Sequence, residues 1–113
     1  MSTAANIALT ALQAFDRKSE VIANNIANVN TDGFKKNRAN AEALSPSGVK
    51  VTIEQVNTPV DSVTIGEVPR ESSNVNLEEE FIALITNRHS YAANIKTVNA
   101  ADEMQGTLIN ILG

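Results

Sequence analysis

The chain has 113 residues, only 4% of them aromatic, with no Trp, no Cys and a net charge of −4. That length makes one small domain with a thin aliphatic core, and a chain without Cys has no disulfides, thiolate metal sites or cysteine nucleophiles. The acidic balance, with Lys35, Lys36 and Arg38 as the largest basic cluster, argues against nucleic acid as a partner.

No apolar run approaches the ~18 residues a membrane span requires, so no membrane insertion is expected. Met1 to Asn6 lack a basic n-region and an apolar h-region. Departure from the cytosol would therefore use a route that needs no cleaved signal peptide. The lack of Cys suits a chain that crosses an oxidising compartment unfolded.

Ser2 or Thr3 can cap a first helix that runs over residues 4–28. Apolar or small residues recur at Ala5, Ala8, Leu12, Phe15, Ser19, Ile22, Ile26 and Val29. These steps of three and four keep one seam facing a partner helix along a gentle left-handed supercoil. On the polar face, Arg17 and Glu20 form a favourable i,i+3 pair, while Asp16 and Glu20 repel weakly.

The helix runs into an Asn-rich stretch: Asn24, Asn25, Asn28 and Asn30, then Thr31, Asp32, Gly33 and Phe34. Asn competes for nearby backbone groups and loosens the last turns. Asp32-Gly33 marks a turn in which Gly33 takes positive φ. Two readings stand side by side here: an elaborate C-cap, or a row of amides lining a subunit contact.

Residues 37–48, with Ser45-Pro46-Ser47-Gly48, read as a loop. Val49, Val51 and Ile53 then alternate with Lys50, Thr52 and Glu54, and Val63 and Ile65 alternate with Thr64 and Gly66. The two runs predict a β-hairpin with a longer turn through Asn57, Thr58, Pro59, Val60, Asp61 and Ser62. Pro69 ends the second strand, and residues 70–75 form a polar linker. An isolated hairpin is marginal, so it must rest on the helices or on a neighbour.

Asn76 is the N-cap of a second helix, with Glu79 completing an Asn form of the capping box. Glu78, Glu79 and Glu80 offset the helix dipole. The heptad spacing passes through Leu77, Phe81, Leu84, Arg88, Tyr91, Ile95, Val98, Asp102, Gln105, Ile109 and Leu112. Its polar members, Arg88, Asp102 and Gln105, either set register or mark a drift of the stripe toward Ala101, Met104, Leu108 and Ile111. At about 53 Å this helix outreaches the first, at about 38 Å. Its apolar overhang, with Ile109, Ile111 and Leu112, implies a partner.

The expected fold is therefore mainly α with a small β element. The two terminal helices pair as an antiparallel coiled-coil hairpin around a central β-hairpin. The divisions are 1–33 (first helix and Asn-rich turn), 34–75 (loop and hairpin) and 76–113 (second helix). The seam expected to carry assembly is Leu12, Phe15, Ile22, Ile26, Leu77, Phe81, Leu84, Tyr91, Ile95, Val98, Ile109 and Leu112. The expected signature turn is Asn24, Asn25, Asn28, Asn30, Gly33 and Phe34.

Little points to catalysis. His89 is the lone histidine, and Arg88 and Ser90 beside it form no triad. Consecutive Glu78, Glu79 and Glu80 diverge on a helix and suit a metal poorly. The glycines are scattered and form no phosphate loop. No catalytic, cofactor-binding or metal-ligating residue is expected, and no cofactor.

The run Ala23-Asn24-Asn25-Ile26-Ala27-Asn28-Val29-Asn30-Thr31-Asp32-Gly33-Phe34-Lys35-Lys36 closely resembles the N-terminal signature of the bacterial flagellar axial proteins, the rod and hook family. Leu9, Ala11, Leu12 and Arg17 resemble its first helix. Residues 74–85, from Asn74-Val75-Asn76-Leu77 to Leu84-Ile85, resemble its second signature, continued by Tyr91, Ala93, Asn94, Lys96 and Met104. Gly48-Val49-Lys50-Val51 looks like the small proximal-rod members. The chain is shorter than those, whereas hook and distal-rod members carry larger middle domains.

The resemblance implies export in an unfolded state by the flagellar type III apparatus, followed by assembly through paired terminal helices. It implies a basal-body location in the periplasm-spanning rod, and other rod subunits, further copies and the export apparatus as partners. The expected function is a structural rod subunit. The alternative is a cytosolic coiled-coil adaptor or export regulator that resembles axial-protein ends.

Overall fold

The structure, a computed structural model, describes residues 3–60, 62–65 and 68–113. Expectations resting on Ser2, Asp61 and Gly66 lie outside the described residues, as do the side-chain faces of the strand through Val63 and Ile65. The elements in chain order are α1 (Thr3–Ala27), β1 (Asn37–Ala43), β2 (Val49–Gln55), β3 (Ser62–Ile65), β4 (Val68–Glu71) and α2 (Leu77–Leu112). The chain is mainly helical, its two terminal helices pack against each other, and small antiparallel hairpins lie between them.

The molecule is an elongated body of 79 × 25 × 13 Å. Its Cα radius of gyration is 20.0 Å, against about 13 Å for a compact domain of this length. The 36-residue α2, about 54 Å long, accounts for much of that length. Asn76, in extended conformation, accepts at Oδ1 from the N–H groups of Glu78 (3.1 Å) and Glu79 (3.3 Å), which starts α2. The Glu79 carboxylate does not complete a capping box; it lies 3.7 Å from Lys36 Nζ. Thr3 is already helical, so it does not stand before α1 as a cap.

The β region differs from the expected pairing. The strand over 49–55 pairs with residues 37–43, in the register Asn37 opposite Gln55 through Ala43 opposite Val49, so those residues are a strand and not a loop. Residues 62–65 pair with 68–71 as a separate hairpin. Pro69 lies within β4, opposite Thr64, and does not end a strand. Each hairpin has two strands, so Pro69 sits on an edge, where proline is tolerated.

The β1–β2 hairpin lies along α1 and is pinned at both ends. At its base, Asn25 bonds to the backbone of Asn37. At its tip, Val49 N–H donates to Thr10 Oγ1 (3.1 Å), and Thr10 Oγ1 donates to Ile7 O (2.7 Å). Gly48 has φ +103°, and a Cβ there would come within 3.2 Å of Thr10 Oγ1, so glycine is required for the close approach. The lengths agree: seven strand residues and the fifteen helical steps from Thr10 to Asn25 each span about 23 Å.

The core is thin. Among the described residues the buried apolar ones are Ala5, Ala8, Ala14, Val21 and Ile22, all on α1 and three of them alanine. Total accessible surface is 7827 Å² for 12.1 kDa, where a compact monomer of that mass exposes about 6,000 Å².

Candidate assembly surface

The α1–α2 seam fixes the geometry. Asn87 is buried and donates from Nδ2 to Phe15 O (2.8 Å) and Ser19 Oγ (2.6 Å). Ile22 and Asn25 share a cleft of about 280 Å³ with Glu79 and Glu80. The helices are thus antiparallel, and α2 covers α1 through Glu80, Leu84, Asn87, Tyr91, Asn94, Val98 and Ala101, all buried or half-buried. From Asp102 onward every residue of α2 is exposed, because the helix has run past the start of α1.

The expected seam is divided by this arrangement. Leu12, Phe15 and Ile26 are half-buried and Ile22 is buried, while Leu84, Tyr91 and Val98 are half-buried on the facing helix. Leu77, Phe81, Ile95, Ile109 and Leu112 are exposed, Phe81 by 48% and Ile109 by 62%. The structure brings the first group together within one chain and leaves the second on the surface. Polar Glu80, Asn87 and Asn94 occupy the covered positions next to Phe81, Arg88 and Ile95. Ile82, Ile85, Met104, Leu108 and Ile111 add to the exposed apolar surface.

The Asn-rich turn resolves into separate roles. Asn28 ends the helix locally: its Nδ2 donates to Asn24 O (2.8 Å), and its Oδ1 accepts from Thr31 Oγ1 (3.0 Å). Gly33 has φ +74°. Asn25 points inward and ties α1 to β1. Asn24, Asn30 and Gly33 are exposed, and Phe34 is half-buried.

A second set of contacts, unmarked in the sequence, joins the turn to the segment before α2. Asn74 Oδ1 accepts from Lys36 N–H (2.6 Å), and its Nδ2 donates to Val56 O (2.8 Å) and Thr58 O (3.3 Å). The Glu71 carboxylate pairs with Lys35 Nζ and accepts from Val60 N–H (3.2 Å), while Glu71 O accepts from Gly33 N–H (2.6 Å). The Lys35 ammonium, and then the Val60 N–H, hold the Glu71 carboxyl below the usual carboxylate range. Around this clasp, α1 and α2 leave the turn side by side.

His89 is exposed on α2. Among the described residues no group of three or more His, Asp or Glu side chains is gathered as a metal site. Among them, too, no helix is long and apolar enough to cross a membrane. What the geometry offers is a long two-helix body whose apolar surface exceeds what one chain covers.

Comparison with known families decides the matter. Residues 5–35 match the family described as flagella basal body rod protein, and residues 70–111 match flagellar basal body rod FlgEFG protein C-terminal. The two matches fall on the two paired helices and together span nearly two thirds of the chain. The chain belongs to the flagellar basal-body rod family. No curated protein matches the chain closely enough to add to this. As a rod-family protein it has a structural role in the flagellum, in association with other rod components.

Proposed function

We propose that this chain is a rod subunit exported unfolded by the flagellar type III apparatus, and that it assembles through its terminal helices with other rod subunits and with copies of itself. The observation that carries this is the thinness of the core: among the described residues five apolar side chains are buried, while exposed apolar ones, from Phe81 to Leu112, lie along α2. Such a chain gains little burial as a monomer and much on association.

In this reading Leu77, Phe81, Ile95, Ile109 and Leu112 meet neighbouring subunits, and Leu12, Phe15, Ile22, Ile26, Leu84, Tyr91 and Val98 hold the hairpin they are presented on. The turn through Asn24, Asn25, Asn28, Asn30, Gly33 and Phe34 sets where the β region departs from that hairpin. Segments 1–33 and 76–113 act as the polymerising unit and 34–75 as its outer attachment. The subunit lies in the periplasm-spanning rod, performs no catalysis and uses no cofactor. Neither nucleic acid nor a membrane is a partner.

The test is mass spectrometry of purified basal bodies, with motility of a deletion strain measured alongside. Presence in basal bodies and loss of motility on deletion are expected. Absence from basal bodies, with stable folded protein in the cytosol, would overturn the reading in favour of an adaptor or export regulator.

A further inference from the structure

The chain has five glycines, and of these only Gly33 follows an Asp or Asn. Asp32 and Gly33 are both exposed. The turn needs glycine here, since its φ is +74°. The same glycine has no side chain to hinder approach to its backbone nitrogen. An aspartate followed by such a nitrogen is prone to cyclise on its own main chain.

The fold restrains that pair in three ways. Gly33 N–H donates to Glu71 O at 2.6 Å, which holds the nitrogen toward β4. Phe34 N–H donates to Thr31 O at 3.2 Å and closes the turn across the Asp32–Gly33 bond. Asp32 Oδ2 lies 3.5 Å from Arg70 Nη1, an ion pair in which both side chains are more than half exposed. The first and third restraints come from β4, which reaches the turn only in the folded chain.

We propose that Asp32-Gly33 is a site of spontaneous isoaspartate formation, and that the clasp between the turn and β4 guards it. In the reaction Gly33 N attacks Asp32 Cγ and a C–N bond forms. The side-chain hydroxyl leaves with the amide proton as water, and a five-membered succinimide remains. Water then opens the ring at either carbonyl. One opening returns aspartate; the other gives isoaspartate, whose main chain runs through the former side-chain carboxyl carbon. No oxidant or reductant is consumed. In the folded chain the nitrogen must first give up Glu71 O, and the carboxyl group must leave Arg70. In an unfolded chain neither restraint exists.

The product disturbs the fold. Isoaspartate adds one carbon to the main chain between α1 and β1. Just beyond it, Gly33 N–H must meet Glu71 O, Lys36 N–H must meet Asn74 Oδ1, and Asn37 must meet Asn25. An extra main-chain atom puts these contacts out of step, so an aged chain re-forms the clasp poorly. Under the export reading, a chain is open to this damage for as long as it waits unfolded. The chemistry itself does not depend on that reading.

The test incubates the full chain at neutral pH, in buffer and in guanidinium chloride. Isoaspartate at residue 32 is read by peptide mapping with mass spectrometry, and by methyl transfer from S-adenosylmethionine with an isoaspartate methyltransferase. It should accumulate about tenfold or more faster in denaturant, the factor set by a clasp that opens at a cost of ~1.4 kcal/mol. Equal rates would overturn the guarding role, and no isoaspartate at residue 32 in denaturant would overturn the site. Gly33→Val, compared in denaturant where folding plays no part, should slow the reaction severalfold; an unchanged rate would mean that Gly33 N is not the attacking atom. Glu71→Gln, kept in buffer and shown to be folded by circular dichroism, lacks the pairing with Lys35 that steadies the end of β4. It should age faster than the parent, and ageing at the parent rate would remove the clasp as the guard. Protein absent from basal bodies that still ages at residue 32 only when unfolded would sink the rod reading and leave this site standing.

Discussion

The Asn25 carboxamide closes both hydrogen-bonding groups of the Asn37 backbone. Its Nδ2 donates to Asn37 O at 2.8 Å, and its Oδ1 accepts from Asn37 N–H at 3.0 Å. Only 1% of Asn25 is exposed, so these two bonds form away from water, and an amide alone among side chains of this length offers a donor and an acceptor together. Asn25→Ala removes both and strands two backbone groups. A loss of roughly 2–4 kcal/mol is expected, enough to unfold a domain this lightly packed. Asn25→Asp is the sharper variant, since it keeps the shape but turns an oxygen on Asn37 O. Thermal unfolding followed by circular dichroism should show both variants melting well below the parent. An unchanged midpoint for Asn25→Asp would mean the contact contributes nothing to stability.

Gly33 tests the backbone alone. Its φ of +74° is in the left-handed region, and a Cβ built there meets nothing within 4 Å. Gly33→Val should therefore cost about 1–2 kcal/mol through backbone strain and not through collision, with Gly33→Asn milder because Asn tolerates that region. Urea unfolding midpoints that rank glycine, then asparagine, then valine would agree; a valine variant as stable as the parent would exclude positive φ at this turn.

The clasp at Glu71 sets an acid limit. Its carboxyl titrates below the usual range because Lys35 and the Val60 N–H hold the charged form. A depressed carboxyl stabilises the fold fully at pH above its unfolded value, and that contribution disappears as pH falls through the lower folded value. Stability of the parent should thus decline on acidification below the ordinary glutamate range. Glu71→Gln should be weaker at neutral pH and show a smaller decline there. Denaturant melts of the two proteins between pH 3 and 7 measure this; parallel pH profiles would remove Glu71 from the account.

Asn87 trades strength for register. Its Oδ1 is buried without a hydrogen-bond partner while its Nδ2 bonds across the seam to Phe15 O and Ser19 Oγ. An unsatisfied buried oxygen costs about 1–3 kcal/mol, so Asn87→Leu should leave the thermal midpoint unchanged or raise it. A buried Asn in a helical seam fixes alignment, so the same variant should let α1 and α2 slide. Site-specific crosslinking between the helices should then yield several products where the parent yields one. A lower midpoint with a single crosslinked product would contradict both halves of this prediction.

The two helices are legible in the sequence because a three-four apolar repeat sustained along their whole length fits a helical face and not a strand, and Asn76 marks one start. The strand over 37–43 is not legible. Asn37-Arg38-Ala39-Asn40-Ala41-Glu42-Ala43 holds no β-branched or aromatic residue, and it is extended because β2 and Asn25 take up its backbone groups, contacts no local pattern encodes. Half of the covered stripe of α2, Glu80, Asn87 and Asn94, lies one position before the expected seam at 81, 88 and 95 for a related reason, while Leu84, Tyr91 and Val98 keep their expected places. Apolarity favours Phe81 and Ile95, but Phe15 and Ile22 on α1 already supply bulk, and Asn87 and Glu80 stand beside them. Asn74 and Glu71 are invisible as partners because the groups they bind lie 11 to 38 residues away.

Pinned at Thr10 and again at Asn25, the β1–β2 hairpin acts on α1 as a splint. Any bow of the helix between those points must strain a hairpin of equal length, held at Asn37 on β1 and at Val49 on β2. The last eleven residues of α2 have neither splint nor companion helix. Of the two-helix body, that tip is the part left unsupported in an isolated molecule, and a neighbour that grips it converts an overhanging spar into a beam that bears load along its whole length.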